Sequence, residues 1–422
     1  MGEHQNRMGG FSGHRLSRRA AIQALGAAGM AAVSCGTLRA SALEELSRHR
    51  IQQVIGFHVA APRPKFVGKN SHLGDHGDQT HDDVLILTTD QGARGFGSGR
   101  LEPDSAKKLL GQPVSSLWTD GAGSTGLLGR SDHPLFDLVG KILGKPAWSL
   151  IGDQGTRAVP VYDGSIYFND LIPGREKNGV AGLVAEVEQG IERGFRAFKI
   201  KVGRGHKWMP KAEGFARDIE VVSAIRKHVG PGIRLMVDGN NGFTLEEATR
   251  WLNAVGENDL FFVEEMFPES IADDTAFRTY IRSKGWKTLV ADGESAGDVE
   301  YFDPYLRAGC IDVVQPDVRA LGLSLEWAMS RRIAELQPSA RLAPHNWGSH
   351  LGGFMQLLLG RALPNFLMAE IDWSRCDLFD SSTFQWADGK VTVPDTPGCG
   401  LVLNEDLFQS KYAEKAMKFQ AS

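Results

Sequence analysis

Ionisable side chains recur at the ends of short apolar runs in the second half of the chain. They are spaced roughly one strand-and-helix unit apart and comprise Lys199, Lys201, Asp238, Glu264, Glu294, Asp317, His345 and Glu370. If the runs are the parallel strands of a closed barrel, their carboxyl ends meet at one mouth, and these side chains surround a single substrate. The set predicts metal-assisted removal of a proton.

Three of the carboxylates follow successive apolar runs, at Asp238, Glu264 and Glu294. Carboxylates that converge in a closed mouth repel one another unless a hard divalent cation lies between them, and an all-oxygen site suits Mg²⁺. Asp292 competes with Glu294 as a ligand, and Glu265 competes with Glu264. Because side chains alternate along a strand, we expect only one of Glu264 and Glu265 to point inward.

Lys199 and Lys201 are two residues apart on a predicted strand, so their side chains share one face. Repulsion between two ammonium groups is expected to lower the pKa of one of them. That lysine could accept a proton while its neighbour stabilises negative charge on the substrate. Taken alone, a Lys-x-Lys pair is also compatible with two surface lysines.

Asp317 and His345 end the next two runs. A carboxylate bonded to one imidazole nitrogen fixes the tautomer and raises the pKa, which leaves the other nitrogen as a base or acid. His350 is a weaker candidate, because it follows a Gly-Ser pair where a helix should begin. Glu370, if protonated, could donate a hydrogen bond to a developing oxyanion.

The elements that must position these residues alternate after Arg157 between strands and amphipathic helices. The apolar runs begin near Val159, Ala197, Leu235, Phe261, Thr288, Ile311, Leu342 and Phe366. Eight strands with seven crossovers predict an α/β fold, a (β/α)7β modified TIM barrel over residues 156–385. Residues 43–155 read as an α+β amino-terminal capping domain, and residues 386–422 as a carboxyl-terminal segment that packs back on it.

Two features of the capping region bear on the site. Helical spacing runs from Leu135 to Ile151, just before the barrel. The polar stretch 68–77 is either a solvated loop or a lid over the mouth.

Composition limits the function classes. The chain has 422 residues and a net charge of -4, and residues 1–42 contain five Arg and one Glu, so their removal (a net +4) would leave -8. This charge disfavours nucleic acid and anionic membranes as partners. The four cysteines are too few and too scattered for a disulfide framework or a thiolate metal site.

Residues 1–42 resemble a twin-arginine export signal. Arg18 and Arg19 precede an apolar stretch rich in Ala and Gly, and Ala40-Ser41-Ala42 supplies a cleavage site. Cys35 lies in a poor lipobox, so a lipid-anchored form is the lesser alternative. We expect an exported, periplasmic protein, with no other run approaching the length of a membrane span.

The sequence resembles the enolase superfamily, and within it the mandelate racemase subgroup. The resemblance covers nearly the whole mature chain and rests on the segments 198–202 (FKIKV), 237–240 (VDGN), 262–265 (FVEE), 292–294 (DGE), 315–317 (QPD) and 344–346 (PHN). It implies Mg²⁺ on Asp238, Glu264 and Glu294, Lys201 as one base with Lys199 as its electrostatic partner, His345 with Asp317 as the other base, and Glu370 as a donor to the enolate. It also implies a homo-oligomer.

The sequence departs from that family in two respects. Met266 and Phe267 stand between the paired acids and Pro268, where the family usually has proline at once, so the following loop should be reshaped. An export signal is also uncommon in a family whose members are mostly cytoplasmic.

The expected reaction is removal of the proton α to a carboxylate, followed by one of two outcomes. Loss of a β-hydroxyl would make the protein a dehydratase of a hydroxylated (sugar) acid, which we favour, and return of a proton from the other face would make it a racemase or epimerase. Asp163, Ser165, Tyr167, Asn169, Lys69 and His72 are candidates for holding hydroxyl groups.

Two other classes of protein fit the sequence less well. A metal-dependent hydrolase would usually carry His-x-His on the first strand, and residues 161–165 contain no histidine. A non-catalytic acid-sugar binder would need no general base.

Overall fold

The computed structural model describes residues 41–174 and 178–421. The predicted export signal therefore lies outside the described residues, except for residues 41 and 42. A compact body begins at Leu46. Within the described ranges, no helix is both long and apolar enough to cross a membrane.

The first strands of the body form an antiparallel sheet. Strand β1 (Ile51–Val67) pairs with β2 (Gly77–Thr89) on one side and with β18 (Met417–Gln420) on the other, and β2 also pairs with β3 (Arg94–Ser98). The helices and short strands that follow are α1 (Pro103–Leu109), α2 (Val114–Leu117), β4 (Trp118–Thr119), β5 (Gly123–Ser124), α3 (His133–Ile142) and α4 (Ala147–Ile151). The helical spacing of residues 135–151 is thus divided between α3 and α4.

Eight parallel strands close into a barrel, which confirms the predicted fold class. They are β6 (Ala158–Ile166), β7 (Ala197–Lys201), β8 (Arg234–Asp238), β9 (Leu260–Glu264), β10 (Leu289–Asp292), β11 (Val313–Val314), β12 (Arg341–Leu342) and β13 (Ala369–Ile371). Consecutive strands pair from β6 to β12, and β13 pairs with β6. A parallel bridge between Leu342 and Phe366 closes the ring.

Helices occupy the seven crossovers. They are α5 (Gly179–Glu192), α6 (Arg204–Lys207), α7 (Lys211–Val229), α8 (Leu245–Val255), α9 (Ile271–Ser283), α10 (Asp303–Ala308), α11 (Val318–Leu336) and α12 (His350–Ala362), with 3₁₀ turns at Asn169–Leu171, Gly256–Asn258 and Glu300–Phe302. Helix α8 begins with a capping box in which Thr244 and Glu247 satisfy each other's free backbone amides. Local sequence therefore sets this helix start directly after a strand that carries a site residue.

The carboxyl-terminal segment pairs with both the antiparallel sheet and the barrel. It contains β14 (Phe379–Asp380), β15 (Gln385–Ala387), β16 (Lys390–Thr392), β17 (Val402–Leu403) and α13 (Glu405–Lys411) before β18. Strand β16 pairs antiparallel with the first residues of β6, whereas β18 extends the antiparallel sheet.

The alternation of side chains along the barrel strands explains where the site lies. The barrel interior holds an apolar plug of Tyr162, Ala197, Met236, Phe262, Ala291, Val313, Ala343 and Met368. Because residues two apart on a strand share a face, Lys199 follows Ala197, Asp238 follows Met236, and Glu264 follows Phe262 into the same interior. The plug is the floor, and the ionisable residues form the layer above it.

Candidate active site

Lys199 is the centre of a buried ion-pair network at the barrel mouth. Its Nζ atom lies 2.6 Å from Oε1 of Glu264, 3.0 Å from Oε1 of Glu370 and 3.3 Å from Oδ2 of Asp238. Lys201 forms an ion pair with the same Asp238 oxygen. All five side chains are buried, so β7, β8, β9 and β13 bring residues far apart in sequence to one place.

The pKa of neither lysine is lowered overall, contrary to our expectation, although repulsion by Lys199 does act on Lys201. Burial alone would lower the pKa of Lys199, but Glu264 and Glu370 raise it well above its ordinary value. Burial likewise opposes protonation of Lys201, and Asp238 outweighs it and raises the pKa. Opposite charge at hydrogen-bond distance therefore outweighs like charge on the same strand face.

The carboxylates fit a divalent cation. Oxygens of Glu264 and Glu294 and a ring nitrogen of His345 lie within 4.8 Å of one another. Burial, and then repulsion by Asp238, raise the pKa of Glu264 to about 8 despite the contact with Lys199. Such crowding of buried acids is the condition that a bound cation relieves. Glu264 and Glu294 are therefore suited to hold Mg²⁺, whereas the third predicted ligand, Asp238, lies outside this group and is paired with the two lysines.

His345 lies next to Glu294 and Glu370 rather than being held by Asp317. Its Nδ1 atom is 2.9 Å from Oε2 of Glu294 and 3.2 Å from Oε2 of Glu370. Burial opposes the charge, but these two carboxylates raise the pKa of His345 well above its ordinary value. The imidazole is thus held as a cation that can give up a proton.

The expected side-chain hydrogen bond between Asp317 and His345 does not form among the described residues. The Asp317 carboxylate instead accepts hydrogen bonds from the backbone amides of Arg319 (2.8 Å) and Ala320 (3.1 Å), at the start of α11. Free amides at a helix start compete well for an acidic side chain. Asp317 and His345 are neighbours only through a parallel backbone bridge.

Glu370 is held as a carboxylate, whereas we considered it as a neutral donor. Burial opposes ionisation, but Lys199 and His345 lower the pKa of Glu370 to about 2. The backbone amide of Asn346 also donates to its Oε2 atom at 2.9 Å. Glu370 therefore links the lysine and histidine sides of the mouth through opposite charge.

Glu264 pairs with Lys199 at the mouth, whereas Glu265 is also buried but groups with Glu269 and Asp292. Strand β9 ends at Glu264, and Glu265 has a φ of 41°, in the left-handed region that non-glycine residues seldom adopt. Glu265 thus lies beyond the end of the strand, so the alternation of side chains along β9 does not predict its direction. Glu265 accepts a 3.3 Å hydrogen bond from Nδ2 of Asn240, which also lies 3.4 Å from Oε1 of Glu294.

The loop between β1 and β2 lies against the mouth, which favours the lid interpretation. The fully buried Ser71 hydroxyl is 2.8 Å from the carbonyl oxygen of Gly239 and 2.9 Å from that of Asn240, directly after Asp238. The His76 ring packs on Tyr167 and Trp347, which stack at 4.7 Å. The Tyr167 ring in turn lies 5.0 Å from Nζ of Lys201.

Most of the residues suggested for holding hydroxyl groups have other roles. Asp163 accepts from Ser165, Asn169 accepts from the backbone of Gly68, and Lys69 pairs with Asp75 at 2.9 Å. The His72 ring packs on His206. His350 begins α12 with Nδ1 3.3 Å from the Ser374 hydroxyl. Tyr167 is the member of this group that faces the lysines.

Three residues that were not among the predicted site residues also shape the site. Gln315 donates a 2.7 Å hydrogen bond from Nε2 to Oε2 of Glu264, Gly164 packs against the Glu370 carboxylate, and Trp347 stacks on Tyr167. Gln315 could have been found, because it lies two residues before Asp317 and two after Val313 on the same strand face. Nothing in the sequence distinguished Gly164 or Trp347.

A closed parallel barrel with lysines, carboxylates and a histidine at its mouth defines a class of proteins equipped for metal binding and proton transfer. A family model described as enolase C-terminal domain-like matches residues 182–407. This is more than half of the chain, and the chain belongs to the enolase superfamily.

Individual relatives are similar along most of their length. The chain is 30% identical to the 3,6-anhydro-alpha-L-galactonate cycloisomerase of Streptomyces coelicolor over 285 residues, which cover 67% of this chain and 71% of that protein. The structure of the present chain resembles that of the galacturonate dehydratase of a Geobacillus species, complexed with D-galacturonate and 5-keto-4-deoxy-D-galacturonate. The TM-score is 0.81 at 30% identity, and the match covers 88% of this chain and 99% of that chain. A mutant of a Geobacillus galacturonate dehydratase complexed with Mg has a TM-score of 0.83, 28% identity, and coverage of 89% and 98%.

Proposed function

We propose that the protein is a Mg²⁺-dependent dehydratase of a hydroxylated (sugar) acid, of the mandelate racemase type. The observation that carries this proposal is the layer at the barrel mouth in which Asp238, Glu264 and Glu294 lie beside Lys199, Lys201 and His345. Relatives named as acid-sugar dehydratases and cycloisomerases support the same class.

The proposed reaction needs two proton transfers, for which Lys201 and His345 are the groups that we assign. Lys201 takes the proton α to the substrate carboxylate, so the C–H bond breaks and its electron pair moves into an enolate. His345 gives a proton to the β-hydroxyl, so the C–O bond breaks and water leaves. The resulting enol becomes a 2-keto-3-deoxy acid. Bound Mg²⁺ would supply positive charge that stabilises the developing negative charge on the carboxylate.

Lys199 and Glu370 position and balance these groups. Lys199 remains cationic between three carboxylates and can stabilise negative charge on substrate oxygen. Glu370 contacts both Lys199 and His345, and so helps to position the imidazole. Lys201 can accept a proton only after its amino group is freed from the ion pair with Asp238 and deprotonated. Binding of a metal cation by the Asp238 carboxylate would weaken this ion pair.

The enclosure of the mouth supports a sugar-like substrate. Tyr167, Trp347 and His76 form an aromatic cluster in which Tyr167 contacts Lys201, and the Ser71 hydroxyl holds its loop against the backbone that follows Asp238. Aromatic rings pack on the C–H faces of a hydroxylated chain, and dry surroundings strengthen the charge interactions below.

A library of aldonic, aldaric and uronic acids tests the proposal. The protein is incubated with Mg²⁺ in D₂O and the products are followed by NMR. Formation of a keto acid from one or more members is expected. Exchange or inversion at the α-carbon without loss of water would make the protein an epimerase, and turnover of esters or amides instead would favour a hydrolase.

We also propose that the protein is exported by the twin-arginine route and forms a homo-oligomer. The paired Arg18 and Arg19, the apolar stretch and the small residues 40–42 support export. A reporter fused after residue 42 should reach the periplasm, and Arg18→Lys with Arg19→Lys should retain it in the cytoplasm. Light scattering of the purified chain measures the oligomeric state, and a monomer mass would reject the second part.

A further inference from the structure

A second group of acids lies beside the carboxylates described above. Glu265, Glu269 and Asp292 each offer an oxygen, and the three oxygens lie within 4.8 Å of one another. Glu265 is 3% exposed and Asp292 is 5% exposed, while Glu269 is half-buried. The group therefore has a dry side formed by two acids and a side that solvent reaches.

Two of these buried carboxylates have an oxygen without a hydrogen-bond partner. The orphaned atoms are Oε1 of Glu265 and Oδ1 of Asp292, counted over the part of the chain that the structure describes. Buried polar atoms are almost always paired, and an unpaired buried charge is strongly destabilising. These two oxygens therefore indicate a missing ligand.

No cationic side chain supplies the balance within residues 41–174 and 178–421. Lys199 is committed to Glu264, Glu370 and Asp238, and Lys201 to Asp238. No ion pair to Glu265, Glu269 or Asp292 forms among these residues. When these carboxylates are ionised, the positive charge that balances them therefore comes from outside the chain.

We propose that Glu265, Glu269 and Asp292 bind a second hard divalent cation of the Mg²⁺, Mn²⁺ or Ca²⁺ class, distinct from the one at Asp238, Glu264 and Glu294. An all-carboxylate set is typical of such cations. The half-buried Glu269 gives the route by which the ion enters. The two sites are linked by Asn240, whose amide nitrogen lies 3.3 Å from Glu265 and 3.4 Å from Glu294.

The second cation has a positioning role. Glu265 directly follows the β9 ligand, and Asp292 ends β10 two residues before Glu294. An ion that joins Glu265 to Asp292 holds these two strand ends together, and with them the spacing of Glu264 and Glu294. Its occupancy should therefore change the affinity of the first site.

Mn²⁺ binding to the full-length protein tests the inference. Protein stripped with a chelator is dialysed against Mn²⁺, and bound metal is counted by mass spectrometry and by electron paramagnetic resonance. We expect two ions per chain in the wild type and one in each of Asp292→Asn, Glu269→Gln and Glu294→Gln. Two ions close together should also show spin coupling that every one-ion variant lacks.

The control and the contrary outcomes are well defined. Glu300→Gln removes an exposed acid near the same loop and should keep two ions. The ion that remains in Asp292→Asn and Glu269→Gln reports that the barrel mouth is still folded. One ion per wild-type chain, or two in either Asp292→Asn or Glu269→Gln, would overturn the inference. Loss of one ion in Glu294→Gln measures the occupancy of the first site separately.

Discussion

The Glu370 carboxylate packs directly against the backbone of Gly164, across the parallel pair of β13 and β6. A Cβ atom at Gly164 would overlap the Glu370 side chain. Glycine is therefore required at this position to let the carboxylate reach both Lys199 at 3.0 Å and His345 at 3.2 Å.

Gly164→Ala should lower activity more than stability. The added methyl group displaces Glu370 from Lys199 and His345, so kcat is expected to fall about 10- to 100-fold, equivalent to about 1.4–2.7 kcal/mol. Steady-state kinetics measure the loss. Gly232→Ala is the matched control, because a Cβ there meets open space, and equal kinetics in the two variants would contradict the role given to Gly164.

Lys201→Met and His345→Asn should separate the two proton transfers. Without Lys201 neither α-proton exchange nor loss of water should occur, whereas without His345 exchange should persist while dehydration falls by about 10²- to 10⁴-fold. NMR in D₂O follows both events in one sample. Full dehydration by both variants would remove the two-residue assignment.

Removal of Mg²⁺ should abolish activity while leaving the barrel folded. Lys199 and Lys201 already pair with Asp238 and Glu264, so part of the buried negative charge is balanced without metal. Chelation is therefore expected to leave the far-ultraviolet circular dichroism unchanged, and added Mg²⁺ should restore turnover. Activity that survives exhaustive chelation would argue against a metal-dependent reaction.

Ser71→Ala should weaken the closed lid. The Ser71 hydroxyl anchors the loop to the carbonyl oxygens of Gly239 and Asn240, and such a buried hydrogen bond contributes on the order of 1 kcal/mol. We expect faster proteolysis within residues 68–77 and a higher KM. Leu73→Ala, at an exposed position of the same loop, is the control and should leave both measurements near the wild type.

The fold and the list of mouth residues could be predicted because both follow from strand periodicity. Apolar runs of strand length separated by helical spacing give the barrel, and the barrel brings the residue at each strand end to one place. The pairing within the mouth could not be predicted. Asp317 lies where a helix begins and so turns to backbone amides, and Glu265 leaves the strand through a left-handed conformation. Both outcomes depend on local backbone geometry.

The protonation states of the site residues also could not be predicted from the sequence. In the sequence, Lys199 and Lys201 are a pair of like charges, which predicts a lowered pKa. In the folded protein, carboxylates from other strands raise the pKa values of both lysines. Distances between strands decide which partner dominates, and residue types do not give those distances. The same holds for Glu370, which two cations keep ionised.

His133 should make the stability of the fold depend on pH through its burial alone. It begins α3, is fully buried, and its Nδ1 atom accepts a 3.1 Å hydrogen bond from the backbone amide of Ser98. Loss of hydration lowers the pKa of His133 to about 3. The folded protein therefore keeps this ring neutral in mildly acidic solution, where the unfolded chain protonates it.

Below the ordinary histidine pKa of about 6.5 the unfolded state binds more protons, so the free energy of unfolding falls as pH falls, until the folded pKa is reached. This one group should contribute a loss of about 2 kcal/mol between about pH 7.5 and about pH 5. His133→Asn retains an acceptor for the Ser98 amide but cannot titrate. Urea unfolding at several pH values should therefore show a shallower pH dependence in the variant, and parallel curves would mean that His133 is hydrated or protonated in the folded protein.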